Sequence, residues 1–188
     1  MHKELLCNTS SYFRAALNGS FKEAKEQKIE LEEEDVTTFK HFQYWLYSRT
    51  LLMTQQSEND IEWDILVDLF ILGEAHGIPH LQNAAIDGLV SKQISTGWTP
   101  LHLISRIYEN TPEKSPIRRL FVDWTHWKAH LNPETESEAW FDNQTYEYFN
   151  KQFLYDLSMA YCGRINALKG GRKDFTTAPA ENHVSIPE

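Results

Sequence analysis

The sequence predicts an α+β chain, mostly helical, with a small sheet packed against helices and a helical extension after it. Three observations carry this. Apolar residues recur three and four positions apart through most of the chain, the period of a helix with one buried face. One stretch, QKIELEEED, alternates instead: Ile29 and Leu31 face one way, Lys28, Glu30 and Glu32 the other, as in a half-buried strand. Helix-start and helix-stop residues (Ser, Asp, Gly, Pro) punctuate the apolar runs.

The first run, LLCNTSSYFRAALNGS, brings Leu5, Leu6, Tyr12, Phe13, Ala16 and Leu17 into the first seventeen positions. Ser10 or Ser11 is placed to cap a short helix, and Gly19 to end it in a left-handed turn. After the alternating strand, the acidic run at 30–35 leads into a helix start, where carboxylates complement the helix dipole. Asp35 is its expected N-cap. Phe39, Phe42, Trp45 and Leu46 then share one helical face, and TLLM reads as a second short strand. Beyond the polar loop TQQSEND, a helix over 57–74 is expected, capped by Ser57, with Ile61, Ile65, Leu69 and Leu72 buried. Gly77 and Pro79 break it. A following helix runs through Leu81, Ala84, Ala85 and Leu89.

QISTGWT reads as a boundary. Thr99 and Ser115 each precede a proline, the signature of an N-cap followed by Pro at the first helical position. The stripe of the first helix there is Leu101, Ile104 and Ile107 or Tyr108; that of the second is Ile117, Leu120, Phe121 and Trp124. A last helix carries Tyr146, Phe149, Phe153, Leu157 and Tyr161. The expected organisation is a domain over 1–95, a helical extension over 96–167 and a disordered tail over 168–188.

Composition narrows the function. Of 188 residues 41% are hydrophobic, with six Trp, eight Tyr and ten Phe, enough for a packed core. The formal net charge of −9 disfavours nucleic acid as a partner, since phosphates reward a basic face. Cys7 and Cys162 are too few for a disulfide scaffold or a zinc motif, so a reducing, intracellular setting (cytoplasm or nucleus) is expected. No apolar stretch is long enough to span a bilayer. No signal peptide is read in the opening residues, so Asn8-Thr9-Ser10 and Asn143-Gln144-Thr145 are read as chance sequons.

Chemistry finds little purchase. His126 and His130 have the spacing of two zinc ligands on a helix, but Trp127 stands where the catalytic motif needs Glu. His76 and His80 flank a Gly-Ile-Pro break. Cys7 lies in apolar surroundings, where thiols are inert. No phosphate-binding or nucleophile motif occurs. No cofactor, no metal and no enzymatic activity are expected. Tyr44 and Tyr47 fall off the buried stripe of their helix and are expected at the surface, where aromatics mark interfaces.

The ordered set of motifs resembles the BTB/POZ family, in the form abundant in filamentous fungi. HKELLCNTSSYFRAALNGSFKEA resembles its signature segment through His2, Lys3, Leu6, Ser10, Tyr12 and Phe13. KIEL resembles the strand that follows, FKHFQYWLYSRTL the next helix and strand, and LVDLFILGEAHGIPHLQNAAID the helical hairpin. IYENTPEKSPIRRLFVDWTHW resembles the helical extension of the fungal members. The resemblance covers about residues 2–130. It implies that the chain enters the domain after its opening β-hairpin, leaving sheet edges near Ile29 and Leu51 that would pair with other chains. It also implies a protein–protein interaction module that self-associates or bridges a target to a cullin-RING ubiquitin ligase. The family's cullin-facing surface falls loosely on Tyr44, Tyr47, Met53 and Gln56. The alternatives are a structural self-association or transcriptional-complex scaffold, and an enzyme of unrecognised type.

Overall fold

The computed structural model describes residues 1–31, 35–52, 60–131 and 145–169, with the backbone alone at 127–131, 145–146 and 164–169. The chain divides after Thr96 into two compact units, Met1–Thr96 and a second that begins at Gly97.

In the first unit, the opening apolar run forms two helices rather than one. Helix α1 spans Lys3–Thr9 and α2 spans Ser11–Asn18, and the extended Ser10 separates them. Ser10 is the cap: its oxygen accepts the Phe13 N–H at 3.0 Å. Gly19 ends α2 with φ −81°, in extended backbone, so the left-handed turn expected there does not form. It appears instead at Gln27 (φ 52°), which closes α3, Lys22–Glu26. That short helix buries no residue and therefore leaves no stripe in the sequence.

Residues 28–31 follow without regular structure, and no strand forms among the described residues. The alternation is present all the same: Ile29 and Leu31 are half-buried, Lys28 and Glu30 exposed. A ladder needs a second backbone about 5 Å away, and the described residues supply none to this segment. The same holds for Thr50, Leu51 and Leu52 of the second expected strand. The small sheet predicted above is thus absent from the described residues.

Helix α4, Val36–Ser48, starts as expected: the Asp35 carboxylate accepts from the N–H of Thr37 at 2.7 Å and of Thr38 at 3.0 Å. Those bonds, that from Thr38 foremost, hold the Asp35 carboxyl below its ordinary pKa. Its inner face buries Thr38, Phe42, Trp45 and Leu46, with Phe39 half-buried. Arg49 ends it in left-handed backbone, φ 59°, at a cost of about 1–2 kcal/mol for a residue with a Cβ. Its side chain offsets this, lying 5.1 Å over the Trp45 ring and donating to Thr9 Oγ1 at 3.2 Å.

Helix α5, Trp63–Ala75, follows Glu62; the expected cap, Ser57, lies outside the described residues. It buries Trp63, Leu66, Val67, Leu69, Phe70 and Leu72, so its apolar surface wraps well beyond one stripe. Ile65, expected inside, is half-buried. The break at Gly77 (φ 61°) leads to α6, Pro79–Thr96, which lies along α5. The two helices approach so closely that a Cβ on Gly73 would sit 2.9 Å from Gln82 Cγ.

The second unit begins with a 3₁₀ turn, Leu101–Leu103, before α7, Ile104–Asn110. Thr99 does not cap it: the Thr99 carbonyl takes the Leu101 N–H at 3.0 Å, and the buried Thr99 hydroxyl has no hydrogen-bond partner among the described residues. Pro116 opens α8, Pro116–Leu131, as expected. A second 3₁₀ turn, Thr145–Tyr148, holds Tyr146 outside the last helix, α9, Lys151–Lys169. Asn150 caps α9 through the Phe153 N–H at 2.8 Å. The helix extends past the expected start of the tail at 168, and residues 170–188 lie outside the described residues. Ile104, Ile107, Ile117, Phe121 and Phe153 are fully buried here. Arg118, also buried, donates to the Tyr108 carbonyl at 2.7 Å and to Thr111 Oγ1 at 2.9 Å, supplying the cation that the C-terminus of α7 favours.

Candidate partner-binding face

The outer side of α4 follows from what its inner side buries. With Thr38, Phe42, Trp45 and Leu46 turned to the core, Val36, Lys40, Gln43, Tyr44 and Tyr47 recur at the spacing of one opposing face. Val36 is 67% exposed and Tyr47 48%, while Tyr44 is half-buried. Lys40, Gln43, Tyr44, Tyr47 and Ser48 line a hollow of about 480 Å³. Two of the four residues the resemblance points to, Tyr44 and Tyr47, therefore meet on one surface. Met53 and Gln56 lie outside the described residues.

Tyr47 is held in place. Its hydroxyl accepts the His2 N–H at 3.0 Å and lies 3.1 Å from His2 Nδ1, and the two rings meet edge to face at 5.8 Å. A ring fixed before a partner arrives loses less side-chain entropy on binding. This bond joins residues 45 positions apart, and nothing in the local pattern announces it. Lys40 and Gln43 were also missed, although the spacing of the positions left over by the buried stripe marks them.

The signature segment supports this helix from beneath. Lys3 Nζ donates to the Leu17 carbonyl at 3.0 Å, tying α1 to the end of α2. Ser10 Oγ donates to the His76 carbonyl at 2.5 Å, tying both to the α5–α6 turn. The buried His76 ring stacks on Phe13 at 5.2 Å and meets Tyr12 edge-on at 5.0 Å. His41, buried on α4, has its pKa lowered by desolvation, with a bond to the Leu51 backbone pulling the other way.

Among the described residues, no group of three or more His, Cys, Asp or Glu side chains converges to hold a metal ion. His126 packs against Tyr161, ring centroids 4.4 Å apart, and the side chain of His130 lies outside the described residues. Cys7 is buried with its sulfur 3.7 Å from the Phe13 carbonyl, and Cys162 is exposed. No helix among the described residues is long and apolar enough to cross a membrane.

In the first unit the first two helices are pinned to the α5–α6 hairpin, and the outer face of α4 stays exposed. Residues 1–92 match the family model of the BTB/POZ domain, and the chain belongs to the BTB/POZ-domain proteins through that unit. A BTB/POZ domain is in general a protein–protein interaction module. No curated protein and no solved structure matches the chain.

Proposed function

We propose that this protein is a non-enzymatic intracellular adaptor that presents the outer face of α4 to a protein partner and links a target to a cullin-RING ubiquitin ligase. The observation that carries the reading is the rigid, exposed Tyr47 beside Tyr44, on a helix whose opposite face is locked in the core. Tyr is enriched among the residues that dominate binding energy, and its ring adds contact area at low entropic cost. On this reading Met53 and Gln56 also contact the partner, and the unit that begins at Gly97 recruits the target. The test is co-purification of the full chain with a cullin N-terminal region, using Tyr44→Ala and Tyr47→Ala. Capture by the wild type, lost in either variant without loss of fold, supports the proposal. Capture of no cullin returns the reading to a self-associating or transcriptional scaffold.

A further inference from the structure

Three helices of the first unit border a polar hollow of about 500 Å³, within the size range of ligand pockets. Asn8 and Thr9 come from the end of α1, and Arg49 from the cap that closes α4. His80, Asn83 and Asp87 come from one face of α6, spaced three and four apart. Asn8, Arg49, His80 and Asp87 are exposed. Arg49 is fixed from two sides. Thr9 Oγ1 donates to the Leu5 carbonyl at 2.8 Å, so the lone pairs of the same oxygen are left to accept from Arg49 Nη2 at 3.2 Å. The buried Trp45 ring lies under the guanidinium, 5.1 Å away at its centroid. Among the described residues no carboxylate lies within ion-pair distance of Arg49. Left-handed backbone, here φ 59°, favours glycine or asparagine, yet an arginine holds the position.

We infer that this hollow binds a singly charged carboxylate presented by a peptide segment of a partner protein. A guanidinium matches a carboxylate through two parallel N–H···O bonds. A fork already held by Thr9 and Trp45 loses little freedom in making them. His80 and Asn8 line the same hollow and supply further N–H donors. Asp87 sets the charge limit. Its carboxylate also lines the hollow, and a doubly charged phosphate there meets about twice the repulsion that a single charge does. The site therefore takes an acidic side chain or a peptide C-terminus in preference to a phosphorylated residue. It shares no residue with the hollow on the outer face of α4. The inference thus goes beyond the adaptor reading and stands whether or not a cullin is captured.

The test is an NMR titration of the full ¹⁵N-labelled chain with short peptides acetylated at the N-terminus. One carries a central glutamate and an amidated C-terminus, and a second has glutamine in its place. A third is polyalanine with a free C-terminal carboxylate, and a fourth carries phosphoserine with an amidated C-terminus. The glutamate peptide is expected to move the amide signals of Asn8, Arg49 and His80 saturably, and the glutamine peptide to bind about tenfold or more weaker, for want of a charge-assisted bond. Comparison with the polyalanine peptide tells a side-chain carboxylate from a C-terminal one. Arg49→Asn suits left-handed backbone and removes the guanidinium, so it is expected to abolish binding with the fold intact by circular dichroism. His80→Ala, at an exposed position, is expected to weaken binding and serves if Arg49→Asn does not fold. Asp87→Asn is expected to narrow the preference for carboxylate over phosphoserine. Equal binding of the glutamate and glutamine peptides overturns the inference. So does tighter binding of the phosphoserine peptide by the wild type, unchanged binding in the folded variants, or a chain whose signals no peptide moves.

Discussion

Ser10 donates its hydroxyl to the carbonyl of His76, 66 residues along the chain and 2.5 Å away, while the same oxygen accepts the Phe13 N–H at 3.0 Å. One fully buried hydroxyl thus caps α2 and fastens it to the α5–α6 turn. Ser10→Ala removes a cap and leaves a buried carbonyl without its donor, an expected loss of about 2–3 kcal/mol. Urea unfolding of the variant checks this. A loss typical of surface positions, below about 0.5 kcal/mol, would show that water or a shifted backbone replaces the bond.

Leu69 is fully buried on α5. Leu69→Ala deletes apolar volume from a helix enclosed on most sides, and the expected cost is about 2–5 kcal/mol. The midpoint of denaturant unfolding is the readout. Ile65→Ala, at a half-buried position on the same helix, should cost clearly less, and the reverse ranking would mean that α5 is rotated from the orientation described.

His41 gives the fold an acid-sensitive component. Its folded pKa lies below the ordinary 6.5 because burial disfavours the cation. Below pH 6.5 the unfolded chain takes up a proton that the folded one resists, so stability falls as pH drops through 6.5 toward the folded value. His41→Gln should flatten that part of the stability–pH curve. Parallel curves for wild type and variant would exclude the contribution.

Tyr108 acts at the other end of the scale. Burial first, then its 2.8 Å hydrogen bond to Asp156, raise its pKa above the ordinary 10.0. Its contribution is whole below pH 10 and is lost as pH rises beyond it, because only the unfolded phenol ionises readily. Tyr108→Phe should cost about 0.5–1.5 kcal/mol at neutral pH. The gap between variant and wild type should narrow above pH 10; an unchanged gap there would mean that the phenol ionises equally in both states.

What the sequence disclosed tracks how local each cause is. Asp35, Pro116 and the Gly77–Pro79 break act within a few residues, and each stands where the pattern puts it. The stripe on α5 was only partly legible, because a helix buried around most of its circumference offers several equivalent stripes; Leu69 and Leu72 were found, Leu66 and Phe70 passed over. The strands were read from alternation at Ile29 and Leu31, which the burial reproduces, but a strand also needs a neighbour, and alternation says nothing of one. Of the candidate face, Tyr44 and Tyr47 were visible as residues left over by the core. The His2 contact that fixes Tyr47 depends on tertiary approach and has no local trace.

The union of Ser10 with His76 also sets an order of events during synthesis. Helices α1 and α2 leave the ribosome well before the turn that receives them. At about 5–20 residues per second, synthesis across this 66-residue separation takes several seconds. Throughout that interval Phe13, buried in the finished unit and stacked on the His76 ring, has no hairpin to pack against. The nascent chain therefore carries an apolar, partnerless segment for far longer than a helix takes to form, and that segment is the natural target of the chaperones that attend translation.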